Sequence, residues 1–182
     1  MFDPGADWAT LPRLESAVEV FTPNADLVID QLRGVVDFER VSAFVLSRGT
    51  ETHNWGEMHW CEVALVEGGR MILWFGKDGH CAGHGGRAPH PTLSATMRTF
   101  PLSEISDQSL VTEYDVEPDG SRVLTAVHVT VYTSTTYRSV KTSLEEHRHS
   151  VEDFRFSKYS NQGVAQMNRL IEFAGALSRQ TR

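Results

Sequence analysis

The sequence predicts an α+β fold: an antiparallel β sandwich or partly open barrel with an N-terminal helix and a long C-terminal capping helix. Three observations predict it. Period-two alternation recurs from Val41 to about residue 158, broken by Gly- and Pro-containing turns. A short helical stripe precedes that region, and a longer one follows it. The 182 residues suit a single domain, 1–182, with an irregular arm at 1–13, a strand and helix at 14–40, the sheet at 41–158 and the closing helix at 160–180.

In chain order, ESAVEVF (15–21) alternates as a short strand, and Thr22-Pro23-Asn24 supplies capping and first-turn chemistry for a helix. Val28, Leu32 and Val35, broadened by Ile29 and Val36, place that helix at about 24–35. ERVSAFVLSRG, GEMHWCEVALV and RMILWFG read as three successive strands, rich in β-branched and aromatic residues. Gly68-Gly69 links the last two as a tight hairpin, pairing Glu67 with Arg70, Val63 with Trp74, Cys61 with Gly76 and His59 with Asp78. In that register both faces of the hairpin are apolar. One carries Cys61, Val63, Leu65, Ile72 and Trp74, and the other carries Met58, Trp60, Ala64, Val66, Met71, Leu73 and Phe75. An antiparallel sheet exposed on one side shows water a polar face, so this hairpin is expected to be covered on both sides. Of the second set, Met58, Trp60, Met71, Leu73 and Phe75 are the candidate interface with a helix or a partner subunit.

LSATMRTF (93–100) is a further strand, PLSEISDQ a turn, and SLVTEYDVE a strand ending at Glu117-Pro118-Asp119-Gly120, the clearest turn in the chain. RVLTAVHVTVYT then alternates, with Val123, Thr125, Val127, Val129 and Val131 on one side. The polar run 133–152 reads as a flap or loop, and VEDFRFS as a strand with Phe154 and Phe156 inward. Ser160 is the expected N-cap of a helix whose stripe is Val164, Met167, Leu170, Ile171, Ala174 and Leu177.

Hydrophobic residues at 40% and charged residues at 23% are ordinary globular usage. Seventeen Lys and Arg against 24 Asp and Glu give a net charge of −7, and no basic cluster offsets it, which argues against nucleic acid as a partner. The first residues lack the basic and apolar segments of a secretion signal, and no apolar run reaches the roughly 20 residues that span a bilayer. Cys61 and Cys81 are read as reduced thiols of a cytoplasmic protein, or as one bridge.

Chemistry concentrates in one place. The hairpin register brings His53, His59 and Cys61 beside Asp78, His80, Cys81 and His84 at one pole of the sheet. Imidazole and thiolate are the usual zinc ligands, so a site drawn from His59, Cys61, His80, Cys81 and His84 is one reading, though the spacing matches no zinc motif. The acid–base reading takes His59 oriented by Asp78, with Cys81 as an activated thiol. The third reading is a turn-rich surface segment without a cofactor.

PLSEIS before the fifth strand of the sheet, and FRFSKYSNQGVAQMNRLIEFAGAL at the end, resemble the pleckstrin-homology-like superfold, in its bacterial and GRAM-like members. That resemblance implies a partly open barrel serving as a binding scaffold rather than a reaction. Their basic lipid-phosphate loop has no counterpart here, the corresponding hairpin turn being Glu-Gly-Gly-Arg. AVEVFTPNADLVIDQL is similar to the first strand and helix of the START-like helix-grip fold, which implies an interior ligand cavity and, in some members, an enzyme. The two function classes expected are therefore a non-enzymatic module acting through protein–protein contacts or self-association, and a protein binding an apolar small molecule.

Overall fold

The computed structural model describes residues 7–54, 56–81, 90–141 and 144–180, with side chains described outside 135–151 and 180. The fold is α+β: two helices, seven antiparallel strands in two sheets, and a long C-terminal helix. Internal contacts divide the chain into two compact units, Met1–Thr99 and Phe100–Arg182.

The first unit begins with one 3-10 turn, Trp8–Thr10, inside the arm expected to be irregular. The Asp7 carboxylate accepts the Ala9 N–H at 3.1 Å, and Trp8 is buried against Phe21 and Phe44. Residues 14–21 are not a strand. They form helix α1, Leu14–Phe21, because Leu14, Ala17, Val18 and Phe21 fall at i, i+3, i+4 and i+7 and all four are buried. Pro23 ends it by forcing Thr22 into extended backbone, and the Thr22 hydroxyl closes on the Val18 carbonyl at 2.9 Å. Helix α2, Ala25–Arg33, follows with Asn24 at its N-cap, though the Asn24 side chain makes no capping hydrogen bond and Pro23 lies outside the first turn. Val28, Ile29 and Leu32 form its buried stripe.

Four strands make the first sheet in sequence order: β1, Val41–His53; β2, Gly56–Glu67; β3, Arg70–Cys81; and β4, His90–Pro101. The β2–β3 register is the expected one, Glu67 opposite Arg70, Val63 opposite Trp74 and Cys61 opposite Gly76. Gly68 and Gly69 have φ of 56° and 85°, the paired positive values a two-residue type I′ turn demands. Both faces of the hairpin are indeed covered: Val63, Leu65, Ile72 and Trp74 on one and Ala64, Val66, Met71 and Leu73 on the other are all buried.

The second unit holds β5, Ile105–Val116, β6, Arg122–Lys141, and β7, Leu144–Tyr159, in that order, with helix α3, Val164–Gln180, contacting all three strands. At the β5–β6 hairpin the Gly120 N–H donates to the Glu117 carbonyl at 2.9 Å, with Gly120 at φ 84°. The Ser121 N–H donates to the Asp119 carboxylate at 2.8 Å, and these bonds from Ser121 hold the Asp119 carboxyl below its ordinary range.

Three expectations are corrected here. A register shift at Glu113/Tyr114 leaves Thr125 as an extra residue in β6, so the alternation that buries Val127, Val129 and Val131 reverses before it and Val123 is 48% exposed. The polar run 133–152 is not a flap, since β6 and β7 stay paired from Ala126–Tyr159 to Lys141–Leu144. Ser160 opens a separate 3-10 turn, Ser160–Gln162, and α3 starts only after Gly163, at φ 102°. The buried stripe of α3 accordingly runs through Met167, Leu170, Phe173, Ala174 and Leu177, with Phe173 edge-on to Phe156 at 5.5 Å, while Val164 is 59% exposed. Phe156 is buried as expected, and Phe154 is half-buried beside Phe100 at 5.0 Å. Among the described residues no helix is long and apolar enough to cross a membrane.

Candidate functional site

The first sheet has one face whose two ends differ. Because side chains alternate, the register aligns Leu46, Val63 and Trp74 in one row and Arg48, Cys61 and Gly76 in the next, with Thr50 and His59 beyond. Over the first row lie the helices: α1 contacts β1, and the Trp74 Nε1–H donates to Oε1 of Gln31 in α2 at 2.6 Å. Past it the face opens into a groove of about 610 Å³, walled by the α1–α2 corner at Pro23 and Asn24 and by Leu93 of β4.

Trp74 and Gly76 make the floor. They are two apart on a strand and share a face, and a Cβ on Gly76 would lie 2.2 Å from Cη2 of Trp74. The missing side chain is what lets the buried indole lie along its own strand. On the opposite face a similar arrangement sets the Trp60 ring over Gly49, at 2.6 Å from where a Cβ would stand.

Arg48 supplies the charge. It donates to the Phe21 carbonyl at 2.9 Å, satisfying a carbonyl at the C-terminal end of α1, and its guanidinium carbon stands 4.4 Å from the Phe21 ring centre. Cys61 lies opposite it in the ladder and is half-buried. Burial pushes the Cys61 thiol from 9.0 up to about 11, and the positive charge of Arg48 only partly opposes this. The thiol is therefore protonated at neutral pH and is a poor nucleophile.

At the rim, His59 and Asp78 meet as the hairpin register requires. The His59 backbone N–H donates to Oδ1 of Asp78 at 2.6 Å, and Nδ1 of its ring lies 3.1 Å from Oδ2. In the neutral tautomer that donates from Nδ1, this leaves Nε2 as an acceptor, with Glu57 4.0 Å away. The pair is largely open to water, its side chains 54% and 44% exposed.

The other sequence candidates lie elsewhere. His53 stands at the far end of β1, 3.5 Å from Glu51. His80 is exposed and Cys81 half-buried near the end of β3. His84 and Trp55 fall outside the described residues. Among the described residues no three His, Cys, Asp or Glu side chains gather as a metal ion would require. Of the candidate interface, Met58, Met71 and Leu73 are buried, which leaves a half-buried Trp60 stacked at 6.2 Å on a Phe75 that is 37% exposed.

Arg48, Pro23, Asn24 and Leu93 were not picked out by sequence reasoning. One signal was legible: a glycine paired with Cys61 and two residues from a tryptophan marks a gap in an otherwise filled sheet surface. In the second unit, His128 bridges Ser157, at 2.9 Å from Nδ1, and Glu113, at 3.6 Å from Nε2. This row crosses three strands on a partly exposed surface and serves as a cross-strand staple. No protein-family model, curated protein or solved structure matches the chain.

Proposed function

We propose that the chain is a small-molecule-binding protein and that the groove over Trp74 and Gly76 is its binding site. The observation that carries this is the groove itself. Its volume of about 610 Å³ falls within the roughly 300–1,000 Å³ of ligand pockets, and its lining sets apolar residues such as Pro23 and Leu93 beside a few polar groups, as in such sites. A protonated Cys61 and a solvent-open His59–Asp78 pair favour binding over covalent chemistry. The order of four strands, three strands and a C-terminal helix supports a pleckstrin-homology-like scaffold, with α1 and α2 as additions before its first strand. The helix-grip alternative loses its main support, because its first strand corresponds here to α1.

The test uses N-phenyl-1-naphthylamine, a neutral apolar fluorophore. Wild-type protein binds it in one-to-one ratio, and Leu93→Glu, which sets a charge on an exposed wall residue, weakens it about tenfold or more. Absence of saturable binding, or binding indifferent to Leu93→Glu, refutes the proposal.

A second reading, assembly with a protein partner or another copy, draws on the Trp60–Phe75 stack. Sedimentation mass tests it. A dimer that dissociates in Phe75→Glu supports this reading, and a wild-type monomer removes self-association.

A further inference from the structure

A second surface, in the second unit and independent of the groove, is the outer edge of β5. In the order β5, β6, β7 this strand has β6 on one side and, among the described residues, no strand on the other. From Asp107 to Val116, alternate N–H and C=O groups of β5 therefore point away from the sheet. Such an edge is a template for another strand unless Pro, Lys or an extra residue blunts it, and over this stretch β5 has none of these.

The two faces of the strand differ in chemistry. Successive side chains alternate, so Asp107, Val111, Glu113 and Asp115 lie on one face and Gln108, Leu110, Tyr114 and Val116 on the other. The second face is the one that α3 covers: the Gln108 Nε2–H donates to the Ala174 carbonyl at 3.0 Å, and Leu110 stands opposite the buried Val129. Yet Leu110, Tyr114 and Val116 are 44%, 50% and 69% exposed, so the apolar face runs on to the edge without cover. The first face is acidic. His128 stands 3.6 Å from Glu113, whereas Asp115 lies opposite Val123, which brings it no charge. Residues 105–121 hold Asp107, Glu113, Asp115, Glu117 and Asp119 and no Lys or Arg. A second β5 laid along this edge would crowd acid against acid, and like charges facing each other across a strand pair are destabilising. The complement of this edge is instead a strand with apolar side chains on one face and basic ones on the other.

We propose that β5 receives an extended basic segment of another protein as a fourth strand of this sheet, a segment in which Lys or Arg alternates with apolar residues. Backbone hydrogen bonds along the open edge supply the affinity, and the alternation supplies the selectivity. The apolar residues of the segment lie beside Leu110, Tyr114 and Val116, and its cations lie beside Asp107, Glu113 and Asp115. The chain's net charge of −7 favours the encounter.

The probe is a fluorescein-labelled nonapeptide of alternating Lys and Val, long enough to span Asp107 to Asp115, followed by anisotropy. Its controls are the Glu–Val counterpart and a Lys–Val peptide with every backbone amide N-methylated. Expected are saturable one-to-one binding of the Lys–Val peptide to wild type and binding of both controls about tenfold weaker or less. Asp115→Lys, which turns an attractive cross-strand pair into a repulsive one, weakens the Lys–Val peptide about three- to tenfold. Amide hydrogen exchange of the complex shows new protection at alternate residues of β5. Absence of saturable binding overturns the proposal. Equal binding of the N-methylated peptide also overturns it, because the attraction is then one of charge alone, as does equal binding of the Glu–Val peptide or protection centred away from β5. A wild-type dimer whose β5 amides are protected before peptide is added overturns it too, since a second copy then fills the edge. Asp115 is exposed, so the variant is expected to keep the wild-type urea midpoint. Should it not, the three peptides on wild-type protein and the exchange pattern decide.

Discussion

Gly76→Ala puts one methyl group where the structure has an indole ring. The added Cβ would lie 2.2 Å from Cη2 of Trp74 and 2.9 Å from two further ring atoms, well inside contact distance, so the ring must leave its place. Gly76 is buried and Trp74 is 1% exposed, so there is little room for the ring to yield. Forcing an extra methyl into a packed site costs about 1–3 kcal/mol. Moving the ring also strains the 2.6 Å bond from Nε1 to Gln31, the tie between β3 and α2, and losing it costs about 0.5–1.5 kcal/mol. Against this, alanine in a strand regains about 0.5–1 kcal/mol over glycine. The net centres on a loss of about 2 kcal/mol, which for a chain of this size lowers Tm by about 4–8 °C. Urea unfolding of Gly76→Ala is the assay, with the Trp74 indole resonance as a local report. Gly79→Ala is the control three residues on: its Cβ would meet only a threonine hydroxyl at 3.2 Å, so it stays within about 0.5 kcal/mol of wild type. If Gly76→Ala were as stable as that control, with the Trp74 resonance unmoved, the account of the groove floor would be wrong.

Other predictions concern the same unit and its neighbour. Cys61, raised from 9.0 to about 11 by burial, keeps its proton in the folded chain over a range where the unfolded chain loses it. Its contribution to stability is thus complete below pH 9 and is lost as pH rises toward 11, so wild type destabilises more steeply than Cys61→Ala in urea titrations between pH 8 and 10.5. At neutral pH, Cys61 in a Cys81→Ser background reacts with a disulfide reagent more slowly than a free thiol, and reaction at the free-thiol rate would contradict the burial argument. Trp74→Phe keeps an aromatic floor but removes the donor to Gln31, costing about 1–3 kcal/mol in urea unfolding with planar-probe binding reduced rather than lost. In the second unit, His128→Ala releases Ser157 and Glu113 from the cross-strand row and costs about 0.5–1 kcal/mol, measured the same way.

The parts of the fold most legible in the sequence were those where a local rule has no competitor. Gly68-Gly69 permits the positive φ of a type I′ turn, and once the turn is set every pair from Glu67–Arg70 to Cys61–Gly76 follows by counting. The His59–Asp78 contact is a consequence of that count, which is why two residues 19 apart could be paired without coordinates. Where two periodicities fit, the shorter window misled. ESAVEVF alternates within itself, and only with Leu14 in view does the i, i+3, i+4, i+7 stripe of α1 emerge. The polar pairing of β6 with β7 beyond Thr133 had no apolar face to announce it, since backbone hydrogen bonds leave no mark on hydropathy. Thr125 hid the β6 bulge, because an extra residue reverses alternation without changing composition.

The groove was half legible for a related reason. Cys61, Gly76, His59 and Asp78 belong to one hairpin and so could be placed together. Arg48 comes from β1, Pro23 and Asn24 from the turn before α2, and Leu93 from β4. Their convergence depends on how helices lie across a sheet, which no local pattern in the chain specifies. Arg48, the groove residue that contacts α1, thus lies outside the cluster of histidines and cysteines that the hairpin count brings together.

The most direct test of the binding groove is an amide and indole NMR titration of the wild-type protein with N-phenyl-1-naphthylamine. The account predicts saturable shifts at the Trp74 indole N–H and at the backbone amides of Arg48, Cys61, Gly76 and Leu93, with the amides of β6 and α3 unmoved. Shifts gathered instead around Phe75, or spread without saturation over the whole chain, would contradict it.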